Sequence, residues 1–167
     1  TKKIDAIQDR GLDIKQVVID DLGRNNIEQW GVVDRCESCH VAINRDGFEN
    51  DSNPFKTHPF RAEIFGKHPI AQFGCTTCHG GQGRATEIEG KPFTEGDHVH
   101  GFVHHIPQPL LRGDFVQSSC NKCHQDQWRL DHAPIYMQGK KLFRGVGCTG
   151  CHALKGFEDA PKVGPSL

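Results

Sequence analysis

Cys36-Glu37-Ser38-Cys39-His40 sets two thiols three residues apart with an imidazole immediately behind, and the same spelling returns three times. It reads Cys75-Thr76-Thr77-Cys78-His79, Cys120-Asn121-Lys122-Cys123-His124 and Cys148-Thr149-Gly150-Cys151-His152. The chain has 8 cysteines, and these four stretches consume all of them. Paired CxxC elements also build zinc sites and thioredoxin-like redox centres, but neither needs a histidine directly after the second cysteine. Histidine is 11 of 167 residues, so four such neighbours arise by chance at roughly 2 in 100,000. Successive first cysteines lie 39, 45 and 28 residues apart, which misses the tight pairing of a zinc ribbon. A disulfide framework leaves the histidines unexplained.

CxxCH is the attachment signal of a c-type haem: two thioether bonds hold one porphyrin, and the adjacent histidine supplies an axial nitrogen to its iron. Four covalent haems are therefore expected, with His40, His79, His124 and His152 as proximal ligands. Composition agrees with a cofactor-built interior. Only 35% of residues are hydrophobic and 8% aromatic, while glycine is frequent at 19. Four large apolar plates would supply the missing buried surface, so the chain without haem is expected to be largely unfolded. With 20 basic and 21 acidic residues the formal net charge is −1, which gives no electrostatic case for nucleic acid.

Haem c is attached beyond the cytoplasm, so a periplasmic or equivalent location is expected. The opening Thr1-Lys-Lys-Ile lacks the regions of a signal peptide, which suggests a mature chain or one lacking its beginning. No apolar run approaches a membrane span, since Val17-Val18-Ile19 is followed at once by Asp20 and Asp21. Membrane association would come through partners or segments outside this sequence.

Organisation should follow the haems: an N-terminal arm over 1–35, a three-haem module over 36–132 and a further module over 133–167. Val17–Ile19 reads as a short extended run. Prolines at 54, 59, 69, 92, 107 and 109 leave little room for long helices before residue 120, whereas a helix is expected from about Ala133 to Phe143. Gly80-Gly-Gln-Gly83 would let backbone pass close to a flat cofactor. The expected fold is mainly α and irregular, haem-cored, with little β structure.

The second axial position of each iron sets its chemistry. Seven histidines remain, His58, His68, His98, His100, His104, His105 and His132, beside a single methionine, Met137. Bis-histidine ligation of most haems is the economical reading, against solvated side chains as the alternative for any one of them. His58 and His68 sit between the first two motifs and are assigned as distal ligands of the first two haems, in either order. His98, His100, His104 and His105 form the supply for the third. His132 reads as a turn residue before the helix, and Met137 lies inside that helix.

Gly139-Lys-Lys-Leu-Phe143 through Cys148-Thr-Gly-Cys151-His152, with Val163-Gly-Pro165 behind, resembles the first half of a class I cytochrome c. The resemblance implies that Gly139 and Phe143 pack against a C-terminal helix. It also implies that Pro165 offers its carbonyl to His152, and that a distal methionine follows downstream. Those last parts would lie beyond Leu167, so a longer polypeptide is expected, or a fourth iron ligated by a partner chain or by His132. A methionine–histidine fourth haem would have the highest potential and be the exit for electrons. The rest resembles multihaem c-type cytochromes of bacterial respiratory and extracellular electron-transfer chains. Val33-Asp-Arg-Cys36 and Phe73-Gly-Cys75 through Arg84 resemble a group found beside membrane quinol-oxidising modules.

These features imply electron transfer between redox partner proteins, such as a quinol-oxidising complex or other cytochromes, and no enzyme activity. A multihaem reductase or oxidase of a small molecule would need an open iron with acid–base groups beside it. A filament-forming cytochrome would differ only in assembly.

Overall fold

The computed structural model describes residues 5, 13–19, 32–85 and 110–160. They form short helices and irregular segments, with one two-stranded sheet. This is the mainly helical and irregular architecture with little β structure that the motif spacing and prolines led one to expect. The chain divides into two compact units, Thr1–Leu110 and Leu111–Leu167.

In the first unit, β1 (Val17–Ile19) pairs antiparallel with β2 (Val32–Asp34) in the register Val17↔Asp34, Val18↔Val33, Ile19↔Val32. The period of two turns Ile19 inward and leaves Val18 exposed. α1 (Cys36–Cys39) follows directly. The residues expected to form a separate arm are thus partly bound into the haem-binding segment. The Lys15 N–H donates to Ser38 Oγ at 2.9 Å, Ser38 Oγ donates back to the Lys15 carbonyl at 2.9 Å, and Arg35 Nε reaches Gln16 Oε1 at 2.8 Å.

Behind α1 a loop folds over Ala42 and Phe48, a small apolar cluster closed by Val41. The buried Thr57 hydroxyl ties this loop down, donating to the Arg45 carbonyl at 2.6 Å and accepting from the Phe48 N–H at 3.2 Å. Three short helices complete the unit: α2 (Arg61–Lys67), α3 (Ile70–Phe73), which packs on β1, and α4 (Thr76–His79).

Two glycines let β2 press against α4. Gly74 has φ +57 and ψ −165, a region all but reserved for glycine. A Cβ there would meet Ile19 Cδ1 at 2.7 Å and Asp34 Oδ2 at 2.8 Å. At Gly83 it would meet the Val33 carbonyl oxygen at 2.5 Å, so the close approach this glycine allows is to a strand. Gly74→Ala is expected to cost the haem-loaded protein about 2–4 kcal/mol, from backbone strain plus overpacking. Denaturant unfolding monitored through the haem absorbance checks this, and Gly66→Ala, with open space around its Cβ position, is the control.

In the second unit a 3₁₀ helix (Gly113–Lys122) precedes α5 (Pro134–Gly145), and a 3₁₀ turn (Cys148–Gly150) follows. Proline at the first position suits a helix start, and Gln117 Oε1 accepts from the Ile135 and Tyr136 N–H groups at 2.8 and 3.2 Å. The orphan donors of the helix end are thereby satisfied from a distance. The unit boundary differs from the sequence division at 132/133, because α5 reaches back to the third motif. The Tyr136 hydroxyl lies 2.9 Å from Asn121 Oδ1 and 3.0 Å from the His124 carbonyl. Phe143 finds an aromatic partner within the unit. It packs on Phe157 at 5.3 Å between ring centroids, and Phe157 in turn meets Trp128 at 5.1 Å. Gly139 has nothing within 4 Å of its Cβ position.

Candidate haem-binding site

All four CxxCH stretches are wound as one tight turn. The histidine N–H donates to the carbonyl of the first cysteine in each, at 2.9 Å for His40, 2.9 Å for His79, 2.8 Å for His124 and 2.9 Å for His152. This i to i+4 closure brings the two thiols and the imidazole to one side of the turn. No disulfide joins the eight cysteines.

The first two turns are fastened together by one carboxylate. Asp34, only 3% exposed, ends β2 and accepts the Cys36 N–H on Oδ1 at 3.0 Å. Its Oδ2 accepts the N–H groups of Cys75 and Thr76, each at 2.7 Å, from 41 and 42 residues away. Burial pushes the carboxyl up, but the Thr76, Cys36 and Cys75 donors outweigh it and hold Asp34 below the usual carboxylate value. The Cys36 and Cys75 sulfurs and an Asp34 oxygen all lie within 4.8 Å of one another. Three such atoms could in principle hold a metal. Here both carboxylate oxygens are committed to backbone donors, and each thiol belongs to a CxxCH turn.

Asp34 escaped the sequence reading. Its position two residues before Cys36, where an Asp side chain caps the backbone ahead of it, was the available signal. Lys140 escaped too. It is 5% exposed, and its ammonium donates to the Gln125 and Gln127 carbonyls just after the third motif. The same Nζ lies 4.6 Å from the Trp128 ring, with the Tyr136 and Phe157 rings at 5.7 and 5.6 Å. Burial lowers its pKa, offset in part by Asp126.

Several imidazoles are oriented by a hydrogen bond at Nδ1. A carbonyl can only accept, so His58 Nδ1 donates to the Pro59 carbonyl at 2.6 Å and leaves Nε2 with its lone pair. His68 Nδ1 lies 3.3 Å from the Ile64 carbonyl, and His124 Nδ1 lies 3.0 Å from Gln127 Oε1. Ligating histidines are oriented in this way. The His58 ring lies beside His79, with centroids 6.2 Å apart, and the His68 ring stands edge-on to Phe73. Burial pushes His58 toward its neutral form, opposed by its hydrogen bond to the Pro59 carbonyl and helped less by the neighbouring His79. His152 Nδ1 is buried without a hydrogen-bond partner. His132 occupies a turn with φ 61, ahead of α5, and Met137 lies within that helix. His98, His100, His104, His105 and Pro165 lie outside the described residues.

Wound CxxCH turns with oriented imidazoles fit covalent haem. Among the described residues no helix is long and apolar enough to cross a membrane. No curated protein and no solved structure matches the chain. The family model described as "Cytochrome c554 and c-prime" matches residues 109–153, which contain the third and fourth motifs, and this similarity supports a c-type cytochrome with covalently bound haem iron that serves electron transport.

Proposed function

We propose that the chain is a tetrahaem electron relay outside the cytoplasm, passing electrons between redox proteins without acting on a substrate of its own. The observation that carries this reading is the Cys36–Asp34–Cys75 contact. Each of these cysteines anchors a different haem, and their sulfurs lie within 4.8 Å. Two porphyrins tethered at adjoining sulfurs are close enough for an electron to hop directly between them. The haems supply one-electron chemistry at iron, while the protein supplies axial ligands and spacing. A membrane quinol-oxidising complex or another cytochrome suits the donor and acceptor roles.

Intact mass spectrometry tests the haem number. Protein made in cells that attach haem should carry four additions of about 0.6 kDa each, one per CxxCH, on the 18.6 kDa polypeptide. Fewer than four would end the tetrahaem reading. Reduction of all four irons by a single electron donor, with no turnover of nitrite, hydroxylamine or peroxide, separates a relay from a reductase.

A further inference from the structure

We infer that His58 is the distal ligand of the haem held by Cys75, Cys78 and His79, so that a residue anchored behind the first motif closes the iron of the second. This rests on the haem reading above and adds which histidine serves which iron.

Three observations converge. The first is spacing. An imidazole nitrogen binds a metal at about 2 Å, and that nitrogen sits about 1.1 Å from its ring centre, so two imidazoles across one iron have centroids about 6.3 Å apart. The His58–His79 separation is 6.2 Å. Their interplanar angle of 81° is compatible with this, because rings sharing an iron axis can take any rotation about it. Edge-on aromatic pairs also occur at about 4.5–7 Å, so distance alone does not decide.

The second observation favours coordination. His58 Nδ1 is fixed on the Pro59 carbonyl, which forces the tautomer with a free Nε2 lone pair. An ordinary stacked histidine needs no such lock.

The third is anchoring. The His58 N–H donates to the Ile43 carbonyl at 3.0 Å, the neighbouring Thr57 is buried and bonded on both sides, and Phe65 holds the ring at 4.9 Å between centroids. The imidazole is presented by rigid structure from the segment after His40.

The test is made on reduced, diamagnetic holoprotein with labelled histidines. Proton NMR should give nuclear Overhauser contacts from the His58 and His79 rings to one and the same porphyrin, the one bonded to Cys75 and Cys78. Contacts from His58 to the porphyrin of Cys36 and Cys39, or to none, overturn the assignment. The haem count of the same sample separates that failure from failure of the relay reading. In a second arm, His58→Gly should bind one more equivalent of carbon monoxide per chain than the unaltered protein, and added imidazole should abolish the gain. An unchanged carbon monoxide stoichiometry in folded His58→Gly also overturns it.

Discussion

Made without haem attachment, this chain should show no cooperative unfolding transition and little protection of its amides from hydrogen exchange, whereas the haem-loaded protein should unfold in one or two sharp steps. The reason lies in how little the polypeptide buries by itself. Among the described residues the buried apolar side chains are Ile19, Ala42, Phe48, Ile70, Ala133 and Phe157. Meanwhile Phe115 is 76% and Val146 74% exposed. Domain stability is a small surplus of about 5–15 kcal/mol over conformational entropy. Six side chains, two of them only alanine methyls, contribute about 6–12 kcal/mol at about 1.5–3 kcal/mol for each large one, far short of the entropy cost of about 1–2 kcal/mol for every residue ordered. Circular dichroism and thermal melts on the two forms check this. A cooperative melt in haem-free chain would show that the protein supplies its own core.

Removing the Asp34 carboxylate should be the most damaging single change outside the CxxCH motifs. Asp34→Ala strands the Cys36, Cys75 and Thr76 N–H donors in a buried place, and a loss of about 3–5 kcal/mol is expected. Asp34→Asn keeps the shape but sets an amide NH₂ against one of those donors, for about 2–3 kcal/mol. The two variants also differ from the unaltered protein in their pH response. Because the Asp34 pKa is lowered on folding, the ionised carboxylate contributes stability above its unfolded value of about 3.9. That contribution is lost as pH falls through the lower folded value. Stability curves of holoprotein between pH 7 and pH 2 should therefore show a steeper acid decline in the unaltered protein than in Asp34→Asn.

The cofactor chemistry was legible in the sequence because it is local. A CxxCH pentapeptide carries its two thiols, its imidazole and its closing hydrogen bond within one turn, and all four stretches fold that way. The helix after Ala133 was legible for the same reason, with proline at its start and no further proline before residue 161. What the sequence hid depends on contacts between distant segments. Asp34 reads as an ordinary strand-end acid until Gly74 and Gly83 allow α4 to close on it. Lys140 reads as a solvated helix lysine until Trp128 and Phe157 fold over it. The assignment of Cys120–His124 to the second unit needed the side chains of Tyr136 and Lys140, which no local pattern reveals. His58 and His68 could not be ranked from chain reach alone, since both lie between the same two motifs.

The contact between Cys36 and Cys75 also dictates how the molecule has to be made. Once Asp34 has drawn the two turns together, the Cys36 thiol is pushed far toward its protonated form, by its hydrogen bond with Cys75, then by burial, then by the Asp34 charge. A protonated, half-buried thiol is a poor nucleophile, and porphyrin vinyl groups must reach it to react. Thioether formation at Cys36 and Cys75 is therefore expected to precede closure of the two turns. The clamp that secures the packed turns would then obstruct any haem attachment still to be made.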